Sequence, residues 1–305
     1  MKVQPIVELF LKNLQDKLKI RTYISYKHML DLYILPEFMN DEIESFNEVS
    51  LNDFVRRLHL TDLYYSTLKL IRVVFNSFLK FVFNAGYLKK DLKLTLYINE
   101  QEQKHTKHLS LKEVEILESY ILSKKKHYHY GILLSLCLGL RIGELLSLKW
   151  EDVNMAEQII CINKTKFDYA KDKNLVHITT PQTKNGMRIV PITNQTKNIL
   201  KELKELQPQS DFVVANRLGQ QVYVRAYQKS FELLLRKLKL ERHTFRSLRY
   251  TFAIRCYRGG MDIKMLRELL GYTNPTTILN VYEYSDIDMK RDVLTHIEKK
   301  IESIC

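Results

Sequence analysis

Several residues of this 305-residue chain have the types and spacing for chemistry on a phosphate. Residues 243–284 open with a basic helical run that carries His243, Arg246 and Arg249 and stops at Gly259 and Gly260. A shorter run, 261–270, ends at Gly271, and a turn at Thr273-Asn274-Pro275 leads to a last helical run with Tyr282 and Tyr284. Guanidinium groups are planar, stay protonated and present paired N–H donors that match phosphate oxygens. An ionised phenol is an oxygen nucleophile. Arginines on one rigid element and tyrosines on another, a turn or two away, suit attack by a tyrosine on a phosphate. Upstream, Arg141 lies between Gly139 and Gly143, which let backbone and ligand approach closely. Glu144, one turn on, faces the same side and can orient it; a structural Arg–Glu pair at a helix junction has the same signature. Lys184 lies in Gln182-Thr183-Lys184-Asn185-Gly186, a hairpin-turn signal. A lysine there is surface decoration unless the hairpin bends over the arginines.

The elements that must hold these residues divide into two regions. Residues 1–100 read as four or five helices in a bundle. Apolar residues at Ile6, Val7, Leu9, Phe10, Leu14 and Leu18 predict the first. Thr22 predicts the cap of a second, which stops at Pro36, and Ser50 with Asp53 the cap of a third. A fourth runs over 66–83 to Gly86 and carries Lys69, Arg72 and Lys80, as a solvated face or against a DNA backbone. Residues 90–108 lose the periodicity, so 101–107 is the expected linker between domains at 1–100 and 108–305. Beyond it, Ser110 and Glu113 spell a capping box, and an apolar helix over 130–138 ends at Gly139. IICIN, VHITT and MRIVPI, within 159–193, read as strands, the last two joined by the Lys184 turn. Helices over 196–206 and 225–238 precede the arginines. The expected fold is mainly α with a small antiparallel β-sheet: an N-terminal helical bundle followed by an α+β domain.

The formal net charge is +13 and 45% of the residues are hydrophobic, which fits a folded protein with a polyanionic partner. The charge is uneven. Residues 1–104 carry 15 Lys and Arg against 13 Asp and Glu, whereas 217–267 carry 13 against 3. A basic tract beside phosphate-ligand candidates points to nucleic acid; a solvated basic face is the plainer alternative. No apolar run approaches the ~20 residues of a membrane span, and Glu8 and Lys12 interrupt the start, so a cytoplasmic location is expected. Cys137, Cys161, Cys256 and Cys305 are scattered and fit reduced structural thiols. His105 with His108, and His127 with His129 on a strand, lack carboxylate or thiolate company, so no metal is expected. Phosphate-binding loops, paired nuclease carboxylates and Ser/His/Asp sets are missing from the sequence.

GLRIGELLSLKWEDV, TPQTKNGMRIVPI, FRSLRYTFA, LLGYTNPTT and LNVYEY, in this order, resemble the tyrosine recombinase, or phage integrase, family over essentially the whole chain. Residues 1–100 look like its SAM-like core-binding domain and the remainder like its DNA breaking-rejoining catalytic domain, with no arm-binding domain ahead of them. The resemblance implies a site-specific recombinase working through a 3′-phosphotyrosine. It matches Arg141 to the first arginine, Glu144 to its supporting acid, Lys184 to the general acid, Arg249 to the second arginine and Tyr282 to the nucleophile, with Tyr284 as rival. A second register would make His243 and Arg246 the family's His-x-x-Arg. In the first, Arg246 and Tyr272 stand where the family has histidine and histidine or tryptophan. Both can donate hydrogen bonds to a phosphate, but neither is a natural proton shuttle near neutral pH. The resemblance further implies double-stranded DNA as partner, homotetramers on paired sites, and no cofactor or metal. A non-catalytic DNA-binding protein on this scaffold and a type IB topoisomerase-like enzyme are the alternatives.

Overall fold

The computed structural model describes residues 1–96, 108–168, 176–179 and 186–272, with 291, 294, 295 and 298. The chain forms two compact units, Met1–Lys104 and His105–Cys305.

In the first unit, α1 (Val3–Gln15), α2 (Ile20–Met29), α3 (Leu35–Phe38), α4 (Glu48–His59) and α5 (Tyr65–Asn84) close on one core. Phe38, Phe46, Phe54, Phe75 and Phe78 meet edge-on or tilted within it, apart from the stacked pair Phe75–Phe78. Three expected boundaries are corrected. Thr22 does not cap α2 but lies within it, and Lys19 holds the N-cap position. The chain stays helical past Pro36, because a wider π turn, Leu30–Ile34, precedes it and the proline falls at the start of α3, where no N–H is needed. The cap of α4 is Asn47, not Ser50. The Asn47 side chain accepts from the amides of Val49 and Ser50, and the Ser50 hydroxyl receives the Asn47 amide, so the capping box sits one turn earlier.

The second unit is built around α7 (His127–Leu138), buried on nearly every side as an inner helix must be. α6 (Leu111–Lys124) precedes it, with the expected Ser110–Glu113 box at its start. α7 carries His127 and His129, which the sequence placed on a strand; the run HYHYGILLSLCL packs as a helix because its apolar faces all have partners. After α8 (Ile142–Ser147) come β1 (Val153–Asn154), β2 (Ile159–Ile162), β3 (Thr165–Asp168), β4 (Val176–Thr179) and β5 (Arg188–Pro191). The strands flanking Lys184 do not pair with each other, against expectation. β5 pairs antiparallel with β2 in a three-stranded sheet, and β4 pairs with β3 in a separate two-stranded ribbon. TKFD, unread as a strand, supplies the missing partner. The ribbon is tied down by Asp168, whose carboxylate accepts from the first amides of α10 (Val224–Lys237). α9 (Asn194–Leu206) lies before α10. α11 (Phe245–Arg258) is buried on two faces. Phe245 and Leu248 join the main core, while Tyr250, Phe252 and Ile254 join Leu266 and Leu270 of α12 (Ile263–Leu270).

Candidate active site

The site begins where α7 stops. Gly139 is left-handed (φ 62°), and a Cβ there would lie 2.5 Å from the Phe252 ring, so only glycine makes this turn. Two residues on, Arg141 opens α8, and its own amide donates to Glu144 Oε2 at 2.9 Å. Gly143 lets β3 pass close by, since a Cβ would meet the Lys166 carbonyl oxygen at 2.5 Å. The short helix therefore turns Glu144 inward, where its side chain is 2% exposed.

Three guanidinium groups surround that carboxylate. Arg141 donates from Nη1 to Oε1 (2.6 Å), and Arg188 of β5 grips both oxygens, Nη1 to Oε1 (3.1 Å) and Nη2 to Oε2 (2.9 Å). Arg249 of α11 brings Nη1 to 3.9 Å from Oε2. Burial alone would raise the Glu144 pKa, but the Arg188 hydrogen bonds and the charges of Arg188, Arg141 and Arg249 outweigh it and hold the carboxyl at about 2. One anion among three cations leaves positive charge in excess, the complement of a bound phosphate.

The same arginines close the end of α12. Its last carbonyls lack intrahelical partners and gather partial negative charge. Leu269 O accepts from Arg188 Nε (2.7 Å), Leu270 O from Arg249 Nη2, and Gly271 O from Arg141 Nη2 (3.3 Å). Arg249 also donates from Nη1 to Gly139 O (2.7 Å), so it joins the ends of α7 and α12. The next residue, Tyr272, lays its ring 4.4 Å from the Arg249 guanidinium and 5.4 Å from that of Arg141, and its hydroxyl accepts from Arg249 Nε at 3.1 Å. With that lone pair taken, the hydroxyl keeps its hydrogen to donate. Burial lowers the Arg249 pKa to about 10, aided by Arg141 and opposed by Tyr272 and Glu144, so the group stays charged at neutral pH. Its side chain is 2% exposed, whereas that of Arg141 is 40% exposed and forms the open face.

The structure thus brings Arg141, Glu144, Arg249 and Tyr272 together. Arg246 stands outside this net: it is exposed, one turn before Arg249, with its guanidinium 5.4 Å from the Tyr250 ring. His243 is buried and its ring bonds Glu113 Oε1 at 3.0 Å, tying the approach to α11 to the cap of α6. Lys184, Tyr282 and Tyr284 lie outside the described residues. Arg188, four residues after Lys184, was missed by sequence reading. Its one signal is a basic residue opening an otherwise apolar strand, MRIVPI, and its acidic partner is 44 residues away.

This buried arginine–glutamate cluster lies inside a match that spans more than half of the chain: residues 107–289 match the phage integrase family, and 3–59 match its N-terminal SAM-like domain. The chain belongs to the phage integrase family. As a tyrosine recombinase of that family it is an enzyme that cleaves and rejoins DNA. It is 23% identical over 291 residues to the tyrosine recombinase XerC-like protein of Caldanaerobacter subterraneus subsp. tengcongensis, covering 87% of this chain and 74% of that one. Similarity to the transposase from transposon Tn916 of Enterococcus faecalis is 28% over 185 residues, 55% of this integrase and 45% of the transposase. The fold is shared with the Tn1549 transposon integrase in complex with transposon right end DNA (TM-score 0.77, 18% identity, 98% of this chain and 100% of that one). It is shared too with a lambda integrase tetramer bound to a Holliday junction (TM-score 0.71, 16% identity, 92% and 77%).

Proposed function

We propose that this integrase performs site-specific recombination of double-stranded DNA, with Tyr282 as nucleophile and Arg141 and Arg249 as the groups that hold the scissile phosphate. The observation that carries this reading is the convergence of both arginines on one carboxylate and one tyrosine ring. Among the described residues, Arg141 commits two of its five side-chain N–H groups to protein acceptors and Arg249 three. The remainder supply donors for non-bridging oxygens, whose charge grows in the transition state. Tyr282 Oη would bond to phosphorus as the bond to the 5′ oxygen breaks. The phenol proton leaves to water and Lys184 protonates the departing oxygen. A phenol has a pKa near ~10, so the positive field of the cluster aids its ionisation. The covalent 3′-phosphotyrosine keeps the bond energy, and resealing by a 5′-hydroxyl needs no nucleotide. Tyr272 would donate its hydroxyl hydrogen to the same phosphate, taking over a hydrogen-bonding task in the family's histidine or tryptophan position.

The known complexes of related integrases with DNA, one of them a tetramer, support DNA as partner and a tetramer as the working form. The exposed Lys69 and Lys80 of α5 supply further backbone contacts. A nicked duplex that loses its 5′ fragment after cleavage traps the intermediate. The expected result is an SDS-resistant protein–DNA adduct with the wild type and with Tyr284→Phe, and none with Tyr282→Phe. An adduct with Tyr282→Phe would refute the nucleophile. Specific binding without any adduct would favour a DNA-binding protein that has lost the chemistry.

A further inference from the structure

Arg188 ties Glu144 of α8 to the end of α12 yet has little left to offer a ligand. Nη1 donates to Glu144 Oε1 (3.1 Å) and to Gly186 O (3.2 Å), Nη2 to Glu144 Oε2 (2.9 Å), and Nε to Leu269 O (2.7 Å). Four of its five N–H donors are thus committed among the described residues, and its side chain is 5% exposed. Glu144 in turn fixes Arg141 twice, through the amide and through Nη1. The end of α12, which Arg188 holds at Leu269, carries the Leu270 and Gly271 carbonyls that Arg249 and Arg141 engage, and then Tyr272.

We propose that Arg188 is a positioning residue for phosphate activation. By gripping Glu144 and the α12 terminus together, it sets the orientation in which Arg141 and Arg249 meet the scissile phosphate. The planar fork is essential, because it spans the two carboxylate oxygens while Nε reaches a carbonyl on another element; a lysine offers one point charge in place of that fork. Without the fork, Glu144 and α12 shift independently, and a displacement of about 1 Å at the phosphate costs ~10²-fold in rate. This inference rests on the proposed role of Arg141 in holding the phosphate charge.

The test uses the full chain and nicked duplexes carrying either an ordinary phosphodiester or a methylphosphonate at the scissile position. The methyl group removes the anionic charge, so defects in gripping that charge shrink on it, while defects of general folding do not. Strand-cleavage rates are compared for wild type, Arg141→Ala, Arg188→Met and Arg188→Lys. Both Arg188 variants are expected to bind the duplex as wild type does and to cleave the phosphodiester ~10²-fold more slowly. Their deficit should shrink at least ~10-fold on the methylphosphonate, in parallel with Arg141→Ala. If Arg188→Met does not fold, Arg188→Lys, which keeps a charge against Glu144, carries the comparison. A deficit that shrinks for Arg141→Ala but stays unchanged for the Arg188 variants overturns the positioning role alone. Full activity of Arg188→Lys overturns it too. A deficit that persists for Arg141→Ala itself overturns the underlying reading of that arginine.

Discussion

Glu144 is the residue on which the other side chains of the site depend. Its carboxylate is the shared counter-ion of Arg141, Arg188 and Arg249, and a buried pair broken on one side leaves uncompensated charge. Glu144→Gln is expected to destabilise the protein by about 3–5 kcal/mol, measured by urea unfolding at neutral pH. The pH dependence has a definite sign. The folded carboxyl, at about 2, lies below its ordinary 4.5, so its stabilisation is complete above pH 4.5 and is lost as pH falls from there towards 2. The loss amounts to about 3 kcal/mol, and Glu144→Gln should show no matching loss in that window. Tyr272 permits a narrower test. Tyr272→Phe keeps the ring over Arg249 but deletes the hydroxyl that accepts from Nε. Hydrogen bonds to charged groups contribute about 1.5–3 kcal/mol, so single-turnover cleavage should fall roughly ten- to a hundredfold while duplex binding holds.

Short elements position these side chains, and backbone approach decides how firmly. Gly143→Ala would place a methyl 2.5 Å from the Lys166 carbonyl oxygen, pushing α8 off β3 and carrying Glu144 with it. The expected cost is about 1–3 kcal/mol of stability, read by thermal unfolding, with a loss of cleavage beyond what the lowered stability explains. Local chemistry is what the amino-acid order discloses well. Ser110 with Glu113 marks the start of α6, and Gly139, Gly259 and Gly271 mark helix ends, because caps depend on neighbours within a few residues. Asn47 and Ser50 stand at the same spacing from a box partner, and the cap falls at Asn47, whose side chain accepts from the Val49 and Ser50 amides. Strand pairing was harder to read. Nothing local says that MRIVPI skips VHITT to join IICIN, since antiparallel partners are chosen by packing across the sheet. The arginines of the site could be named from the motifs that carry them. Arg188 could not, because its value arises only where β5, α8 and the end of α12 meet.

At the scale of the chain, two units each enclose a hydrophobic core of their own. Among the described residues no helix is long and apolar enough to cross a membrane. The basic excess lies in the unit that holds the arginine cluster, with 13 Lys and Arg against 3 Asp and Glu over 217–267, and it suits a partner bound mostly through its phosphates. We propose that residues 290–305 serve assembly. Val293, Leu294, Ile297, Ile301 and Ile304 recur at helical spacing, and docking on a neighbouring protomer would link active sites within a tetramer. Deleting 290–305 should leave single-site binding intact in gel-shift assays while pairing of two sites is lost. The central claim is that the arginine cluster serves covalent transfer of a DNA phosphate to one tyrosine. Its most direct test is mass spectrometry of the peptide left on the 3′ end after protease digestion of the trapped adduct. The expected peptide is joined through Tyr282 and forms at a rate that collapses in Arg141→Ala and in Arg249→Ala. Linkage to another residue, or an undiminished yield without either arginine, would contradict it.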